Sequence, residues 1–522
     1  MAWGWRSSRT AVIGIAGVLF VVGCVLPTAV VVMTSLRGAS GAFALDARQW
    51  ALLANTASLG IGAAMLATAI GAPLGLLFAR APLPGKALLR VALAAPLLLP
   101  PYVVALAWTY VGSRRGLVAT AVGGDLFTAG IYSLPAAVLV LAFVLYPLSM
   151  LATEVALRRI DGRLEEAALM VAGPRLVFQR VTLPLVAPSI VAAGLVIFVL
   201  AASEFGVPGV LRVRVYTTEI FTAFAALYAP EQAALLALPL LALCLAVAAV
   251  AVALLGDRFV TLRHAADTPA ALRLDRSHLM LPAVALVLAV ALGLPMAVLA
   301  REALGSRSVI AVIAGSGEAI ANSLRLAAVG ASAIVVVAAW LGYARARTPG
   351  RWGQLVDVGL VVLFAVPGTL VGVGLIAMWN RPGPLGALYG TDSMLVLAYL
   401  ARLLPAAVLV LAASGRTVPM SHEEAAAVSG AGWLRTMGRI VLPQMRLGLV
   451  AAWLMAFVLA FGELGVSILV APPGEATLPI RIYTLIANAP SSSVATLALL
   501  QASIVLAPLA VLGAILAHRE RA

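Results

Sequence analysis

Charge is scarce in this 522-residue chain: Asp, Glu, Lys and Arg together make up 11% of it, while 63% is apolar. A soluble domain would have to expose that apolar excess, so soluble globular classes are excluded and a polytopic membrane protein remains. Lysine is nearly missing, because Lys86 is the only one and every other basic residue is arginine. That lysine sits in Gly85-Lys86-Ala87, without the Ser or Thr that must follow Gly-Lys in a phosphate-binding loop. Any ATP used with this chain is therefore expected to be bound elsewhere. The two cysteines, Cys24 and Cys244, both lie in apolar runs, which excludes a disulfide framework. Four histidines are too few and too scattered for a histidine-based metal site.

Long apolar runs are what the chain has instead. Twelve are of spanning length, near 11–34, 57–79, 90–112, 133–153, 185–206, 233–256, 280–300, 319–343, 355–378, 394–415, 444–467 and 494–517. Arg6 and Arg9 precede the first run, and Val21-Val22-Gly23-Cys24 faintly resembles a cleavage box. The run continues past that box, so it reads as an uncleaved first helix. With the N-terminus in the cytoplasm, the inner segments carry more than twice as many basic residues as the outer loops. Both termini are then cytoplasmic. The formal charge of +14 becomes a matter of topology, and no nucleic-acid partner is expected.

The chain also repeats itself. An offset of 267 maps Asn55 to Asn322, Leu59 to Leu326, Gly75 to Gly342, Arg80 to Arg347, Pro82 to Pro349 and Pro100 to Pro367. An offset of 258 to 259 then maps Pro147 to Pro405, Glu166 to Glu424, Pro184 to Pro443, Glu204 to Glu463 and Gly206 to Gly465. Six spans per half is an even number, so the halves are parallel repeats. The reading gives a first module at 1–262, a cytoplasmic linker at 263–278 and a second module at 279–522.

One motif occurs in both halves. Between spans 4 and 5 the chain reads EEAALMVAGPRLVFQRVTLP, from Glu165 to Pro184; between spans 10 and 11 it reads EEAAAVSGAGWLRTMGRIVLP, from Glu423 to Pro443. Each copy is a stretch of good helix formers ended near glycine, a second amphipathic stretch, and Leu-Pro opening the next span. These loops, 158–184 and 416–443, resemble the EAA loop of binding-protein-dependent ABC importers, whose coupling helix sits in a cleft of the ATPase subunit. The resemblance implies ATPase-coupling roles for Glu165, Glu166, Ala167, Ala168 and Gly173, and for Glu423, Glu424, Ala425, Ala426 and Gly430. The second copy fits fully. The first is one residue shorter, with Ala172 where the glycine is expected and Gly173-Pro174 after it.

Charges near span ends are the pathway candidates. Glu204 and Glu463 each lie 20 residues beyond the Leu-Pro proline, about 30 Å along a helix, and so near the outer membrane face. Arg402 lies inside span 10, where the first half has Val144. It is placed to neutralise one of these glutamates or to meet an anion.

The whole chain is similar to the fused ferric-iron type permeases, whose relatives also handle thiamine, polyamines or phosphonates. The residues carrying this likeness are Glu204-Phe205-Gly206-Val207-Pro208, Val215-Tyr216-Thr217-Thr218-Glu219-Ile220, Gly462-Glu463-Leu464 and Pro472-Pro473-Gly474. It implies an all-α polytopic fold of two parallel six-helix repeats, the type I importer permease fold, in the bacterial inner membrane. It also implies a periplasmic substrate-binding protein and two copies of an ABC ATPase as partners. This chain would bind no cofactor itself, ATP being used by the partner. Ferric iron is the expected substrate; thiamine, polyamine or phosphonate in the same architecture stays open, as does a twelve-helix secondary transporter.

Overall fold

The computed structural model describes residues 2–38, 46–113, 130–255, 272, 280–306, 308–474 and 476–521. The expected linker at 263–278 lies outside these residues apart from Leu272. The described residues are helical, with no strand among them. Among the described residues, nine helices are long and apolar enough to cross a membrane: Ser8–Ser35, Ala47–Arg80, Leu134–Arg158, Pro174–Ala202, Pro230–Ala251, Leu281–Leu304, Gly317–Ala346, Asp392–Arg416 and Ser491–Val511. Three further pairs qualify only when each is counted as one bent span, which brings the total to 12. Numbering the spans 1 to 12 in chain order, the bent pairs are spans 3, 9 and 11.

Proline places the bends. Lys86–Leu97 and Pro101–Val111 form span 3 with a bend of 88°, at Pro100-Pro101. Gly350–Phe364 and Gly368–Trp379 form span 9 with a bend of 89°, at Pro367. Proline disfavours helical geometry in the residue before it and donates no hydrogen bond, so each span breaks there. The third pair, Trp433–Gln444 and Arg446–Gly462, bends by 74°. Its counterpart in the first half, Pro174–Ala202, carries no such bend.

A second proline device is repeated four times. Five-residue π-helical turns lie at Val21–Val25, Phe178–Thr182, Ala289–Gly293 and Met437–Val441. Each is followed at once by Leu-Pro, at Leu26-Pro27, Leu183-Pro184, Leu294-Pro295 and Leu442-Pro443. In every case the leucine N–H reaches back five residues, to the carbonyl of Val21, Phe178, Ala289 or Met437. The proline ring would collide with a carbonyl four residues back, and the widened turn relieves that collision. The pairing of Leu26 with Leu294 extends the sequence repeat to the first span of each half.

Glycine sets the closest helix contacts. A Cβ on Gly75 of span 2 would meet the Met150 carbonyl and Thr153 of span 4. A Cβ on Gly342 of span 8, the repeat-equivalent residue, would meet Leu411 and the Ala412 nitrogen of span 10. Spans 2 and 4, and spans 8 and 10, are thus paired at backbone distance in the same way.

Packing divides the chain differently from sequence order. One compact unit, built around span 2, comprises Leu45–Thr218, Ala242–Ala314 and Ile482–Ala522. The other, built around span 8, comprises Met1–Ala44, Glu219–Leu241 and Gly315–Arg481. Span 1 therefore packs with the second-half helices, and spans 7 and 12 with the first-half helices. The contacts are intimate. Gly23 lies against Leu400, the Cys24 thiol donates to the Leu400 carbonyl at 3.6 Å, and Gly374 admits the Pro27 carbonyl.

Candidate functional site: the two repeated loops

In the span-2 unit, the first loop begins where Asp161 caps the Gly162–Leu169 helix, its carboxylate accepting the Arg163 N–H at 3.0 Å. Glu165 and Glu166 are neighbours, but they differ in burial. Glu166 is exposed. Glu165 is fully buried and accepts from the Arg80 guanidinium at 2.7 Å, the two side chains being 0% and 2% exposed. The same Glu165 oxygen accepts from Thr182 at 2.8 Å, and the other accepts the Leu272 N–H at 3.3 Å. Arg80 is the last residue of span 2, and Thr182 ends the π-turn near the start of span 5. One carboxylate thus joins the loop helix to the starts or ends of two spans.

The span-8 unit repeats this with different helpers. Glu423, in the first turn of Met420–Val428, is buried, whereas Glu424 is exposed. Arg347 donates to Glu423 Oε1 from Nε at 2.8 Å and from Nη2 at 2.5 Å. Tyr343 donates to Glu423 Oε2 at 2.7 Å. The remaining Arg347 donors reach the carbonyls of Gly415 and Val418, just where span 10 ends. The Tyr343 ring lies under the Arg347 guanidinium and against Trp433, which opens the second stretch of the loop. A buried carboxylate needs a countercharge and filled acceptors, and both loops supply them. The pairs correspond under the repeat: Arg80 with Arg347, and Glu165 with Glu423.

Charges flank the loops in a second matched arrangement. Glu154 of span 4 is buried and pairs with Arg90 and Arg158 at 2.7 Å each. In the other unit Asp357 pairs with Arg345 at 2.5 Å and with Arg416 at 3.6 Å. Arg90 and Asp357 occupy the same repeat position with opposite charge. The acid has moved from span 4 in one half to span 9 in the other, and the clamp between the equivalent elements persists.

The glycines separate on inspection. Gly430 has φ of +77°, ending the Met420–Val428 helix in the left-handed conformation. The Gly430 N–H reaches Ala427 and the Ala431 N–H reaches Ala426, as a Schellman cap requires. Gly432 and Gly173 share the next role: each caps the following short helix, with φ near −70° and ψ near 155°. The residue missing from the first loop is therefore its left-handed one, and Gly173 answers to Gly432, not to Gly430.

Beside the exposed Glu166 and Glu424, the outward surfaces carry small and apolar residues. Ala167 and Ala425 are exposed, Ala168 is half-buried and Ala426 is buried. Val171 and Val428, at the helix ends, are 88% and 90% exposed. The second loop also bears an open cleft with His422, Arg435 and Arg439 around a floor of Ala425, Ala426 and Ala431. Small residues beside an exposed apolar tip form a surface suited to being covered.

At the far ends of spans 5 and 11 the two glutamates make matching contacts. Glu204 Oε1 accepts the Gly206 N–H at 2.9 Å, and Glu463 Oε1 accepts the Val466 N–H at 3.0 Å. Each holds a backbone N–H at the entry to the short helix that follows, Gly206–Val210 or Ser467–Val470. Glu463 also pairs with Arg402 at 3.2 Å, and Arg402 donates to the Val366 carbonyl at 3.1 Å, at the break of span 9. In the first half Tyr146 donates to the Leu93 carbonyl at 2.7 Å, just before the break of span 3. A broken span leaves carbonyls without helical partners, and each half fills one with a different side chain from its fourth span. In the 215–220 motif Tyr216 is buried, and burial with Asp46 nearby pushes its hydroxyl up to about 12. It donates to the Gln49 carbonyl at 3.1 Å. Among the described residues no three His, Cys, Asp or Glu side chains gather as a metal-holding group.

Arg80 and Arg347 were visible in the sequence only as matched repeat positions. No sequence signal marked them as partners of the motif glutamates, and none marked Thr182, Tyr343 or Trp433.

Residues 334–519 match the family model described as binding-protein-dependent transport system inner membrane component. The molybdenum transport system permease protein ModB of Escherichia coli K12 is 35% identical over 153 residues, 28% of this chain and 67% of that protein. The Fe(3+)-transport system permease protein FbpB 2 of Haemophilus influenzae is 25% identical over 447 residues, 83% of each chain. PhnU of Salmonella typhi, named for 2-aminoethylphosphonate transport, is 29% identical over 196 residues, 35% of this chain and 68% of that protein.

Proposed function

The chain belongs to the family of binding-protein-dependent transport system inner membrane components, and on that premise we propose that it is a two-module permease whose halves, 1–262 and 279–522, each present one coupling helix to an ABC ATPase. It is a multi-pass inner-membrane subunit of an ABC importer. The observation that carries the proposal is the pair of loops at 158–184 and 416–443. They occupy equivalent places after the fourth span of each half and offer the same small-residue surface. Two loops call for two ATPase copies, which hydrolyse ATP while this chain stays chemically unchanged. Loaded binding protein docks on the outer loops, and alternating access between the modules carries the substrate inward. Both termini lie in the cytoplasm in this reading.

Ferric iron is the proposed substrate. FbpB 2 is matched over 83% of both chains, so the likeness runs through both halves, whereas ModB and PhnU are matched over about a third of this chain. An oxyanion is the second reading, favoured by those two relatives and by Arg402 at the break of span 9. The test is uptake into proteoliposomes holding the permease, its ATPase and its binding protein. With Fe(III), molybdate and 2-aminoethylphosphonate offered in turn, ATP-dependent accumulation of Fe(III) alone is expected. Accumulation of either oxyanion without iron overturns the iron assignment. Accumulation that persists without the ATPase overturns the importer reading and favours a secondary transporter.

A further inference from the structure

We propose that Glu165 and Glu423 are not contacts for the ATPase but the inner ends of two mechanical pins, Arg80–Glu165 and Arg347–Glu423, which carry coupling-helix displacement into spans 2 and 8. The inference rests on the coupling-loop reading above and assigns positioning residues within it.

Three observations support the pins. First, each pair is buried: the Arg80–Glu165 side chains are 2% and 0% exposed, and those of Arg347–Glu423 are 7% and 10%. Water and salt therefore do little to screen them. Second, both partners are repeat-equivalent, yet the surrounding donors differ: Thr182 and the Leu272 N–H in one unit, Tyr343 in the other. The ion pair is common to both units; its supports are not. Third, the pins sit at element ends. Arg80 closes span 2 and Arg347 follows the end of span 8, so a push on the coupling helix acts on the tip of a long lever. Arg347 also holds the carbonyls of Gly415 and Val418, which ties the end of span 10 to the same point. A displacement taken up by the exposed face of the coupling helix, at Glu166 or Glu424, cannot leave these span ends behind without stranding a buried charge.

The test needs only nucleotide and the permease–ATPase complex in nanodiscs. Ala54 and Ala321, both exposed, lie at equivalent positions near the ends of spans 2 and 8 remote from the pins. Each is replaced by cysteine in turn and labelled with a thiol-reactive fluorophore; Cys24 and Cys244 are buried and stay unlabelled. The readout is the emission change on adding Mg-ATP with vanadate. The second pin is removed by the double substitution Arg347→Met with Glu423→Leu, since replacing both charges by apolar groups commonly preserves the fold. The Ala321 label should then lose its nucleotide response about tenfold, as a coupling energy of this kind implies, while the Ala54 label keeps most of its own. Removing the first pin, by Arg80→Met with Glu165→Leu, should reverse the pattern. Responses unchanged at both labels, lost at both, or missing in the unsubstituted complex overturn the proposal. So does loss of ATPase association in the pin variants, because the pair would then be a binding determinant. A failure of the coupling-loop reading shows separately, as full ATPase association in the Glu166→Lys with Glu424→Lys variant.

Discussion

Neighbouring residues on an α-helix point about 100° apart, so Glu165 and Glu166 cannot share a partner, nor can Glu423 and Glu424. The geometry gives the inner member of each pair an arginine and the outer member the solvent. The sequence offered both as one acidic start to a helix. Which of the two turned inward depended on arginines 76 and 85 residues away. At the end of span 11 remote from its loop, Arg402 and Glu463 are nearly buried together. Glu463→Gln should cost about 2 kcal/mol, because a nearly buried guanidinium loses its countercharge. Arg402→Met with Glu463→Leu should recover most of that loss, and thermal unfolding of the detergent-solubilised protein measures both. Gly342→Val drives methyl groups into the Ala412 backbone. A drop in stability of about 1–3 kcal/mol is expected in the same assay, as for other overpacked sites.

Among the helices and turns, proline was easier to read than glycine. Leu-Pro was visible as the expected start of spans 5 and 11; the structure begins both spans earlier, and the π-turn ahead of each Leu-Pro needed the three-dimensional hydrogen bonds to be seen. The asymmetry of the coupling loops was legible as a missing residue. Its identity was not, because only the sign of φ at Gly430 shows that a left-handed cap was lost. Gly430→Ala should destabilise its loop by about 1 kcal/mol, since a Cβ is strained in that conformation. Ala172→Gly in the other loop relieves no such strain and should leave the end of its helix unprotected to the same degree. Amide exchange at residues 425–432 and 168–174 compares the two. A result in which Gly430→Ala exchanges no faster than the parent would contradict the cap.

Across the whole molecule, the two sequence modules and the two compact units are different partitions. Met1–Ala44 belongs by sequence to the first half and by packing to the unit of Gly315–Arg481. A fragment of residues 279–522 made alone lacks the helix that covers Leu400 and Gly374. It should be protease-sensitive and aggregate. Co-expression with residues 1–278 should restore a protease-resistant, monodisperse particle on size exclusion. Equal resistance of the isolated fragment would show that the exchange of first spans is dispensable.

Composition, apolar run length and repeat spacing by themselves determined the class, the twelve spans and the position of both loops, because each of those is a local or periodic property of the chain. Proline marks the bends of spans 3 and 9, but Pro73, Pro147 and Pro405 lie inside unbroken helices, so only the three-dimensional structure separates the two outcomes. Tertiary structure alone decided that Glu165 and Glu423 face inward, that Arg402 pairs with Glu463 rather than Glu204, and that span 1 packs with the helices of the opposite half. Those outcomes depend on which distant surfaces meet. No local pattern of hydrophobicity or charge records that, because a buried ion pair and a solvated one are written with the same letters.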